Sequence, residues 1–158
     1  MSFLNKWFGK SDSATATLEE PPDTATTATA APDMGLDLIL ESLKNEYDIE
    51  NQVQAAETLG RMKNFGETNV VSELAAAAIK AARKWEAQRM TMAMMHGVRP
   101  QQIVVQPHVD ATRVTVAAVQ ALRKLAGRKD EVSQKAKQAL GEVRNSVKNA
   151  EVARKIGL

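Results

Sequence analysis

The chain lacks cysteine, has only six aromatic residues among its 158, and contains no long apolar run. The absence of cysteine excludes disulfides, thiolate metal sites and cysteine nucleophiles. No apolar stretch approaches the ~18 residues that a membrane-spanning helix needs. The apolar part of the first ten residues is too short for a secretory signal, and Asn5 and Lys6 interrupt it. These absences together predict a cytoplasmic protein.

The few aromatic residues are unevenly placed, since three of the six lie within the first eight positions. Drawn as a helix, residues 2–8 place four apolar side chains on one face and Lys6 on the other. The apolar four are Phe3, Leu4, Trp7 and Phe8. We therefore interpret residues 1–10 as an amphipathic anchor. Its target is either a membrane surface, with Lys6 facing anionic headgroups, or a groove on a partner protein.

Residues 11–32 consist almost entirely of Ala, Thr, Ser, Pro, Asp and Glu. Such a segment buries too little apolar surface to offset its ordering entropy, so the composition predicts a disordered tether. A flexible chain of this length has an end-to-end distance of roughly 25 Å. The sequence thus divides into an anchor (1–10), a tether (11–32) and a domain (33–158).

The domain is predicted to be all-α, because apolar residues recur at helical spacing and strand-like alternation is nearly absent. About five helices are expected. The first begins at Asp33, the second runs from Asp48 to near Gly66, the third from about Thr68 to Met95, the fourth from Asp110 to Gly127, and the last begins at Asp130 and extends to Lys155. Because Pro100 and Pro107 disfavour helical angles in the residues before them, an extended connection is expected over residues 98–109.

The third helix has a heptad-like seam, meaning apolar positions that alternate in steps of three and four. Its members are Val71, Leu74, Ala78, Ala81, Trp85, Gln88, Met92 and Met95. Trp85 is expected to be buried, since its small neighbours on the seam leave room for the ring. The cluster of Met90, Met92, Met94 and Met95 either fills one end of the core, covered by residues 103–105, or forms an adaptable partner surface.

Two segments resemble the helices of HEAT-type repeats, in which a pair of small residues is followed by a leucine. They are Ala55-Ala56-Glu57-Thr58-Leu59-Gly60 and Ala117-Ala118-Val119-Gln120-Ala121-Leu122, and Val132, Ala136, Ala139 and Leu140 repeat the spacing. The resemblance covers about half of the chain and implies a short array of stacked helix pairs that binds other macromolecules. A plain irregular bundle explains the same residues.

Residues that could support catalysis have simpler roles in this sequence. His96 and His108 lack the neighbouring ligands that a metal site needs. Asp33, Asp48, Asp110 and Asp130 each precede an apolar helix, so helix capping explains them. The sequence shows no phosphate-binding glycine loop, nucleophile elbow or paired-carboxylate pattern. We therefore expect a non-enzyme without cofactor or metal.

Charge divides the chain into two unlike halves. Residues 1–66 hold five basic and eleven acidic residues, a net charge of −6, whereas residues 67–158 hold sixteen basic and eight acidic residues, a net charge of +8. Candidate anion-binding residues are the group Arg123, Lys124, Arg128 and Lys129, and the stripe Lys137, Arg144, Lys148 and Lys155. This distribution favours either solvated helix faces or contact with an anionic partner.

The leading hypothesis is therefore a scaffold or adaptor that docks through its tethered anchor and binds a protein partner or copies of itself. Two alternatives stay open. In the first, the chain is a structural subunit of a larger assembly, such as a virus particle or secretion machine. In the second, it is a nonspecific nucleic-acid-associated protein that uses its basic C-terminal helices.

Overall fold

A computed structural model of the chain describes residues 33–65 and 69–157, and these residues form an all-α bundle, as the periodicity predicts. The helices are α1 (Asp33–Lys44), α2 (Ile49–Arg61), α3 (Val70–His96), α4 (Thr112–Ala126), α5 (Glu131–Ser146) and α6 (Ala150–Lys155). The predicted anchor and tether lie outside the described residues.

Aspartate caps fix the starts of two helices, α2 and α5. Asp48 accepts a hydrogen bond from the Asn51 backbone N–H at 3.0 Å, and Asp130 accepts one from the Ser133 N–H at 3.2 Å. Both satisfy amide donors that the first helical turn leaves unpaired. Asp110 accepts hydrogen bonds from the backbone N–H and the hydroxyl of Thr112, the first residue of α4, but the cap position is held by Ala111. The capping explanation is thereby confirmed for Asp48 and Asp130, whereas Asp33 is itself the first residue of α1.

The prediction of a single last helix reaching Lys155 is wrong. Helix α5 ends at Ser146, and Val147 adopts an extended conformation. Asn149 then caps α6, because its side-chain oxygen accepts hydrogen bonds from the N–H groups of Glu151 and Val152. An asparagine that bonds its own neighbouring backbone competes with helix continuation, so the chain turns here.

The connection between α3 and α4 also differs from the extended segment that was predicted. It contains two short 3₁₀ helices, Pro100–Gln102 and Pro107–Val109, each with proline at its first position. Proline lacks the N–H that a first helical position leaves unpaired, and its fixed φ suits that position. Each proline therefore begins a 3₁₀ helix, and the residue before it is extended.

Helix α4 occupies the centre and packs against α2, α3 and α5. It runs in the same direction as α2, since Arg113 at its start pairs with Glu50 at the start of α2, 2.8 Å apart. The two helices approach closely at Gly60, where an added Cβ would lie 2.8 Å from the Ala121 Cα. The two segments that resemble HEAT-type helices thus lie side by side, while the repeat assignment itself stays a prediction.

Helix α3 is much longer than the helix it packs against. Its 27 residues span about 40 Å, whereas the 15 residues of α4 span about 22 Å. The side chain of Thr115, near the start of α4, donates to the Ala78 carbonyl oxygen in the first third of α3. The last turns of α3 therefore extend beyond α4 until Gly97, in the left-handed conformation at φ +63°, ends the helix.

Candidate interaction surfaces

Exposed large apolar side chains are concentrated at the far end of α3 and in the connection after it. Of the nine in the described residues, seven lie between positions 90 and 109. We name five of them the methionine surface: Met90, Met92, Met94, Met95 and Val98. Met94 and Met95 are 79% and 78% exposed. The expectation that these methionines fill a core end is wrong, because the bundle stops short of them.

The methionine surface continues the buried seam of α3. Along that seam every position from Val71 to Trp85 is buried, and Trp85 is 2% exposed as expected. Gln88 is half-buried, while Met92 and Met95 at the end of the same seam are exposed. A stripe shaped for packing against another helix is therefore left open over its last two turns.

The connection after α3 does not cover these methionines, which overturns the expected role of residues 103–105. Val104 is itself 88% exposed, and Val105 packs against the main core. Contiguous exposed apolar residues of this kind are typical of binding sites on otherwise stable domains. Methionine suits such a surface, because its unbranched, polarizable side chain adapts to different partners.

Arg89, which sequence analysis missed, holds the overhanging end of α3 in place. Its side chain is only 7% exposed and pairs with the Glu151 carboxylate of α6. Its Nε donates to the Pro100 carbonyl oxygen at 2.9 Å, and Nη2 donates to the same oxygen. The guanidinium also lies over Trp85, 4.4 Å from the ring centroid. One buried cation thus joins α3 to the 3₁₀ turn at Pro100 and to α6.

A sequence signal for Arg89 does exist, although it is weak. The residue lies four positions after Trp85 and four before Ala93, on the side of α3 that is buried at both positions. An arginine on an amphipathic helix is usually solvated. Only the nearby carbonyl and carboxylate, which come from distant parts of the chain, make its burial favourable.

Three of the eight candidate anion-binding residues are engaged in the fold. Arg123 donates to the Gly157 carbonyl oxygen at 2.7 Å. Arg128 bonds the carbonyl oxygens of Met62 and Lys63 and lies over the Phe65 ring. Lys155 lies 3.8 Å from an Asp110 carboxylate oxygen and 5.3 Å from the Trp85 ring centroid. These three cations therefore join segments of the bundle that are far apart in the sequence.

The other five candidates are exposed and form no ion pair within the described residues: Lys124, Lys129, Lys137, Arg144 and Lys148. Lys137 and Arg144 are seven residues apart on α5 and therefore share a face. The predicted stripe does not continue as one helix, because Lys148 follows the break at Val147 and Lys155 belongs to α6. What remains is a shorter basic face on α5.

The structure places the remaining candidate residues as follows. Phe3, Leu4, Lys6, Trp7 and Phe8 lie outside the described residues. His96 and His108 are exposed, and no group of three or more potential metal-ligating side chains occurs in the part that the structure describes. No helix among the described residues is long and apolar enough to cross a membrane.

A cavity of about 130 Å³ lies between α1 and α3, lined by residues that include Leu43, Ala77 and Lys80. Sites for small ligands usually occupy ~300–1,000 Å³, so this one is small for such a role. Beside it, the hydrogen bond that Lys80 donates holds the pKa of Glu46 below its usual value. Lys84 donates to the Glu46 carbonyl oxygen. This cluster therefore connects the α1–α2 turn to α3.

Comparisons of the chain with protein-family models, curated proteins and solved structures find no match.

Proposed function

We propose that this chain is a non-enzymatic helical interaction protein, a scaffold or adaptor, that binds a partner through the methionine surface. The observation that supports the proposal is the open end of the α3 seam, where Met92 and Met95 continue a helix-packing stripe into solvent. Arg89 supports the same proposal. Its buried ion pair with Glu151 and its hydrogen bonds to the Pro100 carbonyl oxygen hold the end of α3, and with it the methionine surface, in one position.

The partner that suits this surface is an amphipathic helix. Seam positions in steps of three and four interdigitate with apolar side chains at the same steps on a facing helix. Met90 and Met94 are four residues apart and widen the apolar area on a neighbouring face. A helix laid along α3 would therefore add one more layer to the bundle beyond the start of α4.

A charge placed on the methionine surface tests this function. The double variant Met94→Glu/Met95→Glu is expected to lose its partner, because a docked helix would bury carboxylates without counterions. Its stability is expected to stay near wild type, since both side chains are exposed. Leu38→Glu on α1 is the matched control, because Leu38 is also an exposed apolar side chain, at 65%.

The measurement is cross-linking of the tagged full chain in its own cells, followed by affinity measurements with the purified partner. Wild type and Leu38→Glu should bind with equal affinity, whereas the double variant should not bind. Equal binding by all three proteins would contradict a role for the methionine surface.

The N-terminal segment is proposed as a second contact, through Phe3, Leu4, Trp7 and Phe8, to a membrane surface or a partner groove. Co-sedimentation with vesicles of phosphatidylcholine and phosphatidylglycerol separates the two targets. Binding by wild type but not by Trp7→Glu supports the membrane, whereas no binding by either protein argues against it.

A second candidate function is nonspecific binding to a nucleic acid through the basic face of α5. The supporting observation is that Lys137 and Arg144 share a face and are unpaired within the described residues. Removing two phosphate contacts with Lys137→Gln/Arg144→Gln should lower the slope of log affinity against log salt by about 2. The control is Lys135→Gln, because Lys135 is exposed on the same helix but lies two residues before Lys137 and so points away from the basic face. An unchanged slope in the double variant would eliminate this candidate.

The alternative of a structural subunit remains a separate proposal, favoured by the opposite net charges of the two halves of the chain. Such charges orient copies head to tail. Sedimentation velocity over a wide concentration range tests it, and a monomer at every concentration would argue against it.

A further inference from the structure

We infer that residues 3–8 of this chain dock onto the methionine surface of the same molecule. The inference depends on the proposed function, since it takes the methionine surface as a binding face, and it adds what occupies that face before a partner arrives. An external amphipathic helix would then have to displace an internal one.

The open end of the α3 seam and the apolar face of residues 3–8 are similar in length. From Gln88 to Met95 the open end of the α3 seam covers about 10 Å along the helix. Drawn as a helix, Phe3 to Phe8 covers about 8 Å, and its apolar positions recur in steps of three and four. A helix of just under two turns therefore covers most of the open seam and is too short to reach far along the bundle.

The chemistry of the two stripes is also complementary. Four of the seven methionines of the chain lie in the methionine surface, and three of its six aromatic residues lie in the segment. Thioether sulfurs make favourable contacts with aromatic rings, and methionine adapts its shape to them. Phe3, Trp7 and Phe8 supply rings, and Met92 and Met95 supply exposed sulfurs.

The tether is long enough for docking within one molecule. Helix α1 ends at Lys44, which pairs with Glu73 near the start of α3 at 3.0 Å. Allowing for the length of α1, for the separation of about 10 Å between packed helices and for the rise from Glu73 to Met94, the start of α1 lies at most about 60 Å from Met94. Residues 11–32 can span about 70 Å when extended, so the segment reaches the surface whichever way α1 points.

Docking within the molecule is favoured over docking onto a second copy by concentration. A segment joined to its site within one chain is present there at an effective concentration of up to about 1 mM. A second copy competes only at a comparable protein concentration. The chain therefore occupies its own surface first.

The absence of cysteine makes the test direct, because a single spin label can be attached to the full chain through Thr91→Cys. Thr91 is exposed and lies between the methionines on α3. We expect most of the amide signal of residues 3–8 to be lost through paramagnetic broadening. A label at Ser72→Cys, exposed near the start of the same helix, is the control and should leave these signals intact.

A mixed sample identifies the molecule that holds the segment. Spin-labelled chains without isotope are combined with isotope-labelled chains without spin label, so that only contacts between molecules cause broadening. We expect none. Broadening in the mixed sample would overturn the inference in favour of exchange between copies, and no broadening from Thr91→Cys in the single-chain sample would overturn docking altogether.

Two further variants keep this test separate from that of the proposed function. Trp7→Glu should abolish the broadening while the domain still folds, because the described core is built from residues between Leu36 and Ile156. Met94→Glu/Met95→Glu should abolish it as well. If partner binding is lost in the double variant although wild type shows no internal docking, the proposed function stands and this inference fails.

Discussion

Replacing Arg89 with alanine tests whether the overhanging end of α3 is held by a buried cation. The substitution removes two hydrogen bonds to the Pro100 carbonyl oxygen, an ion pair with Glu151 and the guanidinium over Trp85. Hydrogen bonds to a charged group contribute ~1.5–3 kcal/mol each. A desolvated cation over an indole ring contributes about 2 kcal/mol.

Two effects reduce that gross loss. The variant buries no guanidinium, so its folding does not include the desolvation penalty of several kcal/mol that the wild type carries. The Glu151 side chain is 43% exposed, so water solvates its carboxylate once Arg89 is gone. We therefore expect Arg89→Ala to lower the free energy of unfolding by about 2–4 kcal/mol, at the lower end of what breaking a buried ion pair costs.

Urea unfolding of the full chain measures this change, with Arg83→Ala as the matched control. Arg83 is an exposed arginine on the same helix and forms no ion pair within the described residues, so its removal should change stability by less than about 0.5 kcal/mol. Arg89→Lys keeps the charge but loses the planar fork and should lie between the two. Hydrogen exchange should accelerate over residues 100–109 in Arg89→Ala. Equal free energies of unfolding for Arg89→Ala and Arg83→Ala would show that Arg89 does not hold the end of α3.

Three further predictions concern the core and one surface pair. Trp85→Ala should lower the free energy of unfolding by ~3–5 kcal/mol, since the ring is buried, and an unchanged melting temperature would contradict its burial. Gly60→Ala should destabilise by ~1–3 kcal/mol, because an added Cβ meets the α4 backbone at 2.8 Å. Gly141→Ala on open α5 should instead stabilise by ~0.5–1 kcal/mol, and a gain at both glycines would refute the close approach. The pKa of Glu46 is lowered from 4.5 by the Lys80 hydrogen bond, so its stabilising contribution is present above that pH and is lost as the pH falls below it. An NMR titration should find the Glu46 midpoint below 4.5 in wild type and higher in Lys80→Gln; the same midpoint in both would contradict the pairing.

Local patterns in the sequence were sufficient for the helices and their ends. Asp48 and Asp130 cap helices because each offers a carboxylate to amides three residues away, and Gly97 ends α3 because it adopts a positive φ without strain. The burial of Trp85 was likewise predictable from small residues at the right spacing. The break before α6 was missed, although Asn149 followed by Glu151 is a local capping pattern.

The functional residues were less predictable, because their roles depend on contacts between distant positions. Arg128 appeared to be available for anions, yet it bonds the Met62 carbonyl oxygen 66 residues away. Lys155 was assigned to a stripe on one helix, and the break at Val147 placed it beside Asp110 instead. Net charge along the sequence therefore overstated the basic surface that the fold leaves accessible.

The sequence by itself determined which face of α3 is apolar, since side-chain spacing follows from the helical repeat alone. It did not determine where that face is covered. Only the tertiary structure decided that α4 begins short of the methionines and that Arg89 finds partners 11 and 62 residues away. The physical reason is that helix geometry is set by neighbouring residues, whereas burial and ion pairing require groups that folding brings together from distant parts of the chain.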